Sequence, residues 1–392
     1  MNITMLGSGS YRGSLSIRIV SIGQQLARQG WSVSVIVPTA DKYNDFKNEV
    51  IESDGVVKIL QPWQFVTKWQ FVNLLPYLIS SLVVGFRSRP DVIYLYKPSP
   101  ITIFGVLLKY ILRVPLILDL DDLGSEVMRA ESQSWLQVQL VAMCERISLK
   151  YASAVVVTSA LLEKRVRAQH RDKPIMVLSN GVAPEHYPIR HEKPVRPAVY
   201  YYGMINRFSL IEPFLAAIPN ILQAVPEATF TIIGGGKSLD EAVEYAHRHN
   251  FASSIKFTGM TDMLGALEFT DFGDIGICYQ PDVDTVRAAS NMKVFQYMAM
   301  STVTVVSDVG ELPNYLDNNR AGIVVEANNH HALGNAIIGL LRDQKGRSRR
   351  SLHARQLAET VYSWNYLGQR LGTFIEGHLK SEGEVTHHGV LR

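Results

Sequence analysis

Residues 290–313 read SNMKVFQYMAMSTVTVVSDVGELP, and this stretch decides the fold class. A polar pair precedes a segment of helical character, and a β-branched run follows at residues 303–306 after a very short turn. The run is closed by Ser307, Asp308 and a glycine two residues later. Helix, short turn and buried strand in this order predict the repeating unit of a doubly wound α/β domain.

The polar pair at the start of this stretch also predicts a binding site for an anion. Ser290 is the expected N-cap of the helix, which places Lys293 in its first turn. Backbone amides and an ammonium at a helix N-terminus attract a phosphate, with help from the helix dipole. An ordinary structural cap without a ligand explains the same pattern and remains the alternative.

The stretch resembles the donor-nucleotide element of the retaining GT-B glycosyltransferases of family four, written P-N-K-L-F-E-Y-M-A followed by G-x-P-V-V-A-S-D. The positions that fit this pattern in register are Asn291, Lys293, Phe295, Tyr297, Met298, Ala299, Val303, Val305, Ser307 and Asp308. The combination is specific, although each residue alone is common. The resemblance extends over about residues 1–379, which is nearly the whole chain.

The resemblance implies an α/β fold of two Rossmann-like domains (GT-B) that face each other across a cleft, with a C-terminal helix crossing back to the first domain. We expect an acceptor-side domain at 1–182, a proline-rich linker at 183–197 and a nucleotide-sugar-binding domain at 198–360. A returning helix at 361–380 and a flexible tail at 381–392 complete the predicted layout.

The opening of the chain independently predicts a Rossmann-like sheet, since a strand at residues 2–6, a helix at 14–29 and a strand at 31–37 form a β-α-β unit. Gly7, Gly9 and Gly13 are spaced one residue wider than the dinucleotide fingerprint, which disfavours bound NAD. In the resembled family a glycine-rich loop at this place approaches the donor, and this implies a donor-binding role for Gly13.

Acidic residues follow the predicted strand at 115–120. Ligands of open α/β sheets meet the carboxyl ends of strands, so Asp121 is a candidate catalytic residue. Asp119 and Asp121 also spell D-x-D, a metal-binding spacing in another glycosyltransferase architecture. No second ligand cluster accompanies them, and we expect no metal. The resembled family carries His-Asp where this chain has Asp121 and Asp122, and an aspartate cannot copy the donor of a neutral imidazole.

Glycines end two predicted strands of the second half. Gly203 follows the strand at 199–202, and Gly234 and Gly235 follow the strand at 229–233. The resemblance implies that their backbone lies close to the donor, although tight turns explain glycines equally well. The family's basic residue after the first of these strands is replaced by Met204, and Arg207 is our candidate substitute for binding the diphosphate.

The donor site departs from the family at a pair of glutamates spaced E-x₇-E, which would fall on Ala288 and Gln296. The second glutamate ordinarily grips the ribose, and Gln296 can still accept from a hydroxyl through its amide oxygen. The implied site comprises catalytic Asp121, Arg207 and Lys293, and donor-binding Gly13, Gly203, Gly234, Gly235, Asn291, Met292, Lys293 and Gln296.

Composition and charge indicate which partners and which cellular compartment to expect. The chain has 392 residues and a net charge of +3, which does not argue for nucleic acid. Its two cysteines form no disulfide framework, and no signal peptide is evident, so we expect a cytoplasmic protein. The apolar stretch 71–86, interrupted by Pro76, is too short to span a bilayer. We expect a buried helix there, and peripheral membrane contact through residues 68–89 is the alternative.

The resemblance implies a glycosyltransferase that moves a sugar from a nucleotide diphosphate sugar to a glycan or lipid-linked acceptor. The resemblance implies retention of configuration, a role in cell-surface polysaccharide or glycolipid synthesis, and no cofactor besides the donor substrate. A catalytically silent GT-B assembly partner is the first alternative, favoured by the lost carboxylates. A sugar-nucleotide epimerase on the same architecture is the second, and a nicotinamide oxidoreductase comes last.

Overall fold

The structure, a computed structural model, describes residues 1–9, 17–38, 48–52, 56–62, 74–187, 198–205, 211–261 and 274–388. Its contacts divide the chain into two compact units. Unit 1 is Met1–Ser179 together with Trp364–Arg392, and unit 2 is Asn180–Ser363. Each unit is built on its own largely parallel sheet, so the predicted α/β class with two Rossmann-like halves is confirmed.

Unit 1 contains a sheet whose described strands are ordered β3-β4-β2-β1-β5-β6-β7-β8, with only β3 antiparallel to its neighbour. The strands are β1 (Asn2–Gly7), β2 (Ser32–Ile36), β3 (Asn48–Glu52), β4 (Val56–Leu60), β5 (Val92–Tyr96), β6 (Leu116–Leu120), β7 (Ala154–Val157) and β8 (Ile175–Val177). The helices are α1 (Ile17–Arg28), α2 (Leu74–Arg87), α3 (Phe104–Leu112), α4 (Gly124–Ala130), α5 (Trp135–Tyr151), α6 (Ala160–Gln169) and, at the C-terminus, α14 (Trp364–His388).

Unit 2 contains a sheet ordered β11-β10-β9-β12-β13-β14, in which all described pairs are parallel. Its strands are β9 (Ala198–Tyr202), β10 (Thr229–Ile233), β11 (Ile255–Gly259), β12 (Ile275–Cys278), β13 (Val303–Ser307) and β14 (Gly322–Val325). Its helices are α7 (Ile211–Ala224), α8 (Leu239–Arg248), α9 (Asp284–Ala288), α10 (Met292–Ala299), α11 (Leu312–Tyr315), α12 (His330–Arg342) and α13 (Gln344–Glu359).

Both sheets contain strands that are apolar throughout because helices cover both faces. Strand β7 reads AVVV and strand β12 reads IGIC, and every residue of each is buried. Continuous apolar runs of this kind are typical of parallel sheets.

The C-terminal helix packs against the first helix of unit 1. A Cβ atom added to Gly368 on α14 would lie 2.3 Å from the Cβ of Gln25 on α1. One turn later, a Cβ on Gly372 would lie 2.3 Å from the side-chain oxygen of Gln29. Glycine at both places lets the two helices approach closely. Helix α14 continues to His388, well into the stretch where the sequence predicted a flexible tail, and most of the expected linker, 188–197, lies outside the described residues.

Helix α2 corrects the expectation of a buried helix at 71–86. Tyr77 and Ser81 are buried, but the opposite face exposes a stripe of large apolar side chains. The exposed fractions are 67% for Leu75, 54% for Ile79, 44% for Val83 and 56% for Phe86. Apolar residues occur on every side of this helix, but the neighbouring elements pack against only one of its faces. None of the helices in the described part of the chain is long and apolar enough to cross a bilayer.

Candidate functional site

The candidate donor site in unit 2 begins at the N-terminus of α10. Asn291, not Ser290 as predicted, is the N-cap, and its side-chain oxygen accepts from the backbone amide of Lys293 at 3.1 Å. Ser290 is buried instead and its hydroxyl accepts from the amide of Asn180 at 2.9 Å and from the Tyr315 hydroxyl at 2.8 Å. The cap is therefore one residue later than expected, because Ser290 anchors the loop before the helix.

The Lys293 side chain lies directly over the end of β9. A Cβ on Gly203 would lie 2.5 Å from Cε and 2.8 Å from Nζ of Lys293, so only glycine leaves room for this path. The ammonium donates to the Tyr201 hydroxyl at 2.7 Å and lies 4.4 Å from the centroid of the same ring. Tyr201 in turn donates to the carbonyl of Met204 at 2.6 Å. These contacts hold a positive charge at the carboxyl end of the sheet.

The glycines after β10 complete the backbone surface around this ammonium. Gly203 donates its amide to Ile233 at 2.8 Å, and a Cβ on Gly234 would lie 2.0 Å from the Gly203 carbonyl oxygen. Gly234 has φ +141° and Gly203 has φ +130°, which are conformations that side-chain-bearing residues rarely adopt. Gly235 packs beside the side chain of Met260. Gly203, Gly234, Asn291 and Lys293 are thus brought together by the ends of two strands and one helix.

Tyr297, which the family pattern includes, holds α10 in register with the sheet. Its hydroxyl accepts from the amide of Tyr202 at 2.9 Å and donates to the carbonyl of Ile277 at 3.2 Å. Its ring lies so close to Gly276 that a Cβ there would come within 2.9 Å. A single buried side chain therefore connects α10 to both β9 and β12, and fixes the height of Lys293 above Gly203.

The environment of Lys293 also includes a buried thiol. Burial raises the pKa of Cys278 to about 12, although the nearby Lys293 charge opposes that shift. The thiol is neutral at physiological pH, so it does not neutralise the ammonium. Among the described residues, no carboxylate pairs with Lys293.

Two other residues that were predicted to bind the sugar donor, Met292 and Gln296, also lie on α10. Met292 is the first residue of α10, and the amide at such a position has no intrahelical acceptor. Gln296 is one turn further on and only 7% exposed, beside the Tyr187 hydroxyl, with which it shares a hydrogen bond. Burial raises the Tyr187 pKa, so this phenol stays neutral. Gly13 and Arg207 lie outside the described residues.

Unit 1 places Asp121 in a compact charged cluster after β6. Its carboxylate accepts from the Tyr96 hydroxyl at 2.5 Å and forms an ion pair with Lys97 at 3.0 Å. Lys97 also pairs with Asp122 at 2.6 Å. Burial alone would lower the Lys97 pKa, but the Asp121 and Asp122 charges outweigh it and raise that pKa. Burial and the Asp121 charge raise the pKa of Asp122, against the effect of Lys97.

Asp119, the first residue of the D-x-D spacing, is committed to the core. It is fully buried and paired with Arg18 at 2.8 Å, and the Tyr94 hydroxyl donates to it at 2.6 Å. Arg18 also donates to the carbonyls of Leu178 and Ser179 beyond β8. Within the part of the chain that the structure describes, no group of three or more His, Cys, Asp or Glu residues could hold a metal ion.

Sequence reasoning missed Arg18, Lys97 and Tyr201. Arg18 is adjacent to Ile19 in the apolar stripe of α1, and a charge on a buried helix face signals a buried ion pair. Lys97 follows a strand directly and faces two acids that follow the next strand, a juxtaposition that sheet order alone could have indicated. Tyr201 gave no signal, because apolar neighbours in a strand do not reveal what its hydroxyl meets.

Comparison with known proteins agrees with this arrangement. The family model described as "Glycosyl transferases group 1" matches residues 196–343, and "Glycosyl transferase 4-like domain" matches residues 13–181. Glycogen synthase of Mycobacterium tuberculosis is 25% identical over 195 residues, which cover 48% of this chain and 45% of that protein. The chain thus spans less than half the length of this relative.

Solved structures share the fold along almost the whole chain. Sucrose-phosphate synthase from Thermosynechococcus elongatus superposes with a TM-score of 0.74 at 17% identity, covering 97% of this chain and 100% of that one. Anabaena Alr3699/HepE, solved in complex with UDP-glucose, gives a TM-score of 0.69 at 14% identity, covering 96% of this chain and 100% of that one. At these identities the likeness establishes the GT-B fold.

Proposed function

Because the chain belongs to the group 1 glycosyltransferases, we propose that it transfers a sugar from a nucleotide diphosphate sugar to a glycan or lipid-linked acceptor. The observation that carries this proposal is the ammonium of Lys293, held over Gly203 by Tyr201. A fixed cation beside a glycine backbone suits a diphosphate. Without side chains in the way, the diphosphate can lie close to the protein backbone, and the cation balances its negative charge. A solved structure of this fold with bound UDP-glucose supports the same use.

The proposed chemistry has one bond breaking and one forming at the anomeric carbon. The bond from that carbon to the diphosphate oxygen breaks while the acceptor hydroxyl oxygen forms the new glycosidic bond. The acceptor's proton passes to an oxygen of the departing diphosphate, so no protein base is required. We propose that attack occurs on the face that the leaving group vacates, which retains the configuration of the sugar.

Lys293 and the amide of Met292 act on the leaving group. Negative charge grows on the diphosphate as the bond breaks, and preorganised donors stabilise it more in the transition state than in the ground state. We place Arg207 with them, as the sequence predicted. These cations do the work that a divalent metal does in other transferases, so we expect activity to survive chelation with EDTA.

Asp121 is proposed to orient the transferred sugar. Oδ1 is buried beside Lys97, whereas Oδ2 accepts from Tyr96 and can accept a second hydrogen bond, which leaves capacity for a sugar hydroxyl. Asp121→Asn should lower kcat by about 100-fold, in the range of single positioned groups, with the donor dissociation constant nearly unchanged. An equal loss in kcat and in donor affinity would instead indicate a structural role.

A silent assembly partner is the second candidate function. Ala288 is fully buried in place of the first family glutamate, and Gln296 is buried beside Tyr187. Neither position offers a carboxylate to the donor. Such a protein would bind a nucleotide sugar, or nothing, without turning it over.

The deciding experiment combines binding with turnover. A thermal-shift panel of UDP-, GDP-, ADP- and TDP-sugars should reveal one base that raises the melting temperature, because a ligand of the native state stabilises it. With that donor, release of the nucleoside diphosphate is followed in the presence of polysaccharide and glycolipid acceptors. Acceptor-dependent release supports the transferase, and the anomer of the product, read by NMR, tests retention.

The other outcomes separate the alternatives. Conversion of the donor without any acceptor identifies an epimerase. Binding without release for every acceptor favours the silent partner. Lys293→Ala should abolish the thermal shift in either case, so a shift unchanged by that substitution contradicts the proposed donor site itself.

We further propose that the protein works at the cytoplasmic face of a membrane. Helix α3 packs against α2 and also exposes large apolar side chains, with exposed fractions of 50% for Leu107, 55% for Tyr110 and 54% for Ile111. Neither helix contains Asp or Glu, and exposed arginines lie at 87, 89 and 113. Apolar side chains beside cations favour a bilayer with anionic lipids.

Vesicle co-sedimentation tests this surface. Wild-type protein should bind vesicles of phosphatidylglycerol better than vesicles of phosphatidylcholine, and the triple variant Leu75→Ser/Ile79→Ser/Phe86→Ser should lose most of that binding. Leu352→Ser, which changes another exposed leucine in unit 2, serves as the control. Equal binding by the triple variant and by wild type would contradict the proposal.

A further inference from the structure

A second cationic feature lies in unit 2, on α13 and the loop before β14. A cavity of about 370 Å³ is lined by Asn319, Arg320, Arg349, Arg350 and His353. We call it the arginine cavity. Its volume falls in the range of about 300–1,000 Å³ that small-molecule sites occupy. It shares no lining residue with the candidate donor site.

One carboxylate is shared by two basic side chains of the cavity. Oδ2 of Asp317 pairs with Arg320 at 3.0 Å and also lies 2.7 Å from Nε2 of His353. A single oxygen is therefore shared between two basic side chains. Arg349 and Arg350, which complete the cationic wall, form no ion pair among the described residues, although the N-cap carboxylate of Asp343 lies near the Arg350 guanidinium.

Arg350 has a buried hydrogen-bond donor without an acceptor. Its Nε atom is buried without an acceptor, and its Nη1 reaches only the carbonyl of Gly346, at a long 3.4 Å. A buried guanidinium nitrogen with no acceptor is costly, because it has lost water and gained nothing in exchange. Arg349 is exposed beside it and has no hydrogen bond or ion pair in the described chain.

The composition of α13 concentrates the charge. The helix reads QKGRSRRSLHARQLAE, with five Lys or Arg residues and one acid, Glu359, which pairs with Arg355 at 2.6 Å. Like charges this close repel within one screening length, and a bound anion would relieve that repulsion. Arginine rather than lysine on the cavity wall suits an oxyanion, since the planar guanidinium donates two parallel hydrogen bonds.

We propose that the arginine cavity binds a small phosphate-bearing anion, either inorganic phosphate or the phosphate group of a sugar phosphate. Arg349 and Arg350 are the principal donors, and Arg320, which also lines the cavity, is the third. This site is separate from sugar transfer and does not depend on the function of Lys293. The helix that carries it also reaches the donor helix, because Arg355 donates to the carbonyl of Ala299 at the end of α10.

Calorimetric titration tests the site in a Lys293→Met background, where phosphate binding at the donor site is removed. Inorganic phosphate and glucose 1-phosphate are titrated separately at matched ionic strength, with chloride as the blank. We expect saturable binding of at least one of them. Arg349→Gln/Arg350→Gln should weaken it by about tenfold or more, because two charge-assisted contacts are lost.

The control variant is Arg171→Gln/Arg248→Gln, which removes the same charge from two exposed arginines that lie outside the cavity and outside α13. It should leave the affinity within about twofold of its parent, since surface charges act weakly at a distance. Tighter binding of glucose 1-phosphate would identify a sugar phosphate as the ligand, and equal affinities would identify free phosphate. No saturable binding of either, or equal losses in the test and control variants, would overturn the proposal.

Discussion

Replacing Lys293 with methionine removes one positive charge from the first turn of α10 and keeps most of the side-chain volume. The ammonium that is lost lies 2.7 Å from the Tyr201 hydroxyl and directly over Gly203. A hydrogen bond to a charged group contributes about 1.5–3 kcal/mol. Taking about 2–3 kcal/mol for a cation facing a diphosphate, the dissociation constant of the nucleoside diphosphate should rise about 30- to 150-fold.

Isothermal titration calorimetry with the nucleoside diphosphate of the preferred base measures this change. The same titration with the nucleoside alone should show almost no effect of the substitution, because Lys293 is placed against phosphate and not against base or ribose. Lys345→Met provides a matched loss of charge at an exposed position of α13. Unfolding in urea checks that the fold is intact. We expect little loss of stability, because the Tyr201 hydroxyl still donates to the Met204 carbonyl at 2.6 Å in the variant.

Two results would refute the reasoning. The first is a nucleoside diphosphate affinity within about threefold of wild type for Lys293→Met, which is less than one hydrogen bond to a charged group is worth. The second is an equal loss of affinity for the nucleoside, which would mean that the substitution distorts the site as a whole.

Three further predictions concern other parts of the structure. Gly203→Ala should destabilise the protein by about 1–3 kcal/mol in urea unfolding, because it forces a side chain into φ +130° and against the lysine above it, and unchanged stability would contradict the close approach. Asp119→Asn should lower the free energy of unfolding by about 3–5 kcal/mol, because it leaves the buried Arg18 charge unpaired. The double variant Arg18→Met/Asp119→Leu should recover part of that loss. A double variant less stable than Asp119→Asn would argue against the ion pair. Burial raises the pKa of Cys144 to about 11 and that of Cys278 to about 12, so neither thiol should react with Ellman's reagent at pH 8 until urea is added, and rapid reaction of the native protein would contradict this packing.

The fold was accessible from sequence because its signals are local. Apolar runs such as the strand at 303–306, glycines after strands and the β-α-β opening each depend on a few neighbouring residues. Two parallel sheets follow from that alternation. The burial of one face of α2 was misjudged because periodicity shows where apolar residues lie on a helix, and not whether a neighbouring element covers them.

The site was only partly accessible for a related reason. The placement of Lys293 in the first turn of a helix depends on a short pattern, but the N-cap moved to Asn291 since Ser290 meets Asn180 across 110 positions of sequence. Partners that are distant in the chain, such as Tyr201 for Lys293 or Lys97 for Asp121, are determined by sheet order. The ion pair of Asp119 with Arg18 likewise joins residues that are distant in the chain. It gives Asp119 a structural role that Asp121 lacks, although the two acids of the D-x-D spacing look equivalent in sequence.

A crystal structure with the preferred nucleoside diphosphate tests the central claim most directly. We predict that an oxygen of the terminal phosphate lies about 3 Å from Nζ of Lys293 and within hydrogen-bond distance of the Met292 amide. The ammonium then lies between that oxygen and the Tyr201 ring. A diphosphate bound elsewhere, with Lys293 contacting only Tyr201, would contradict the account.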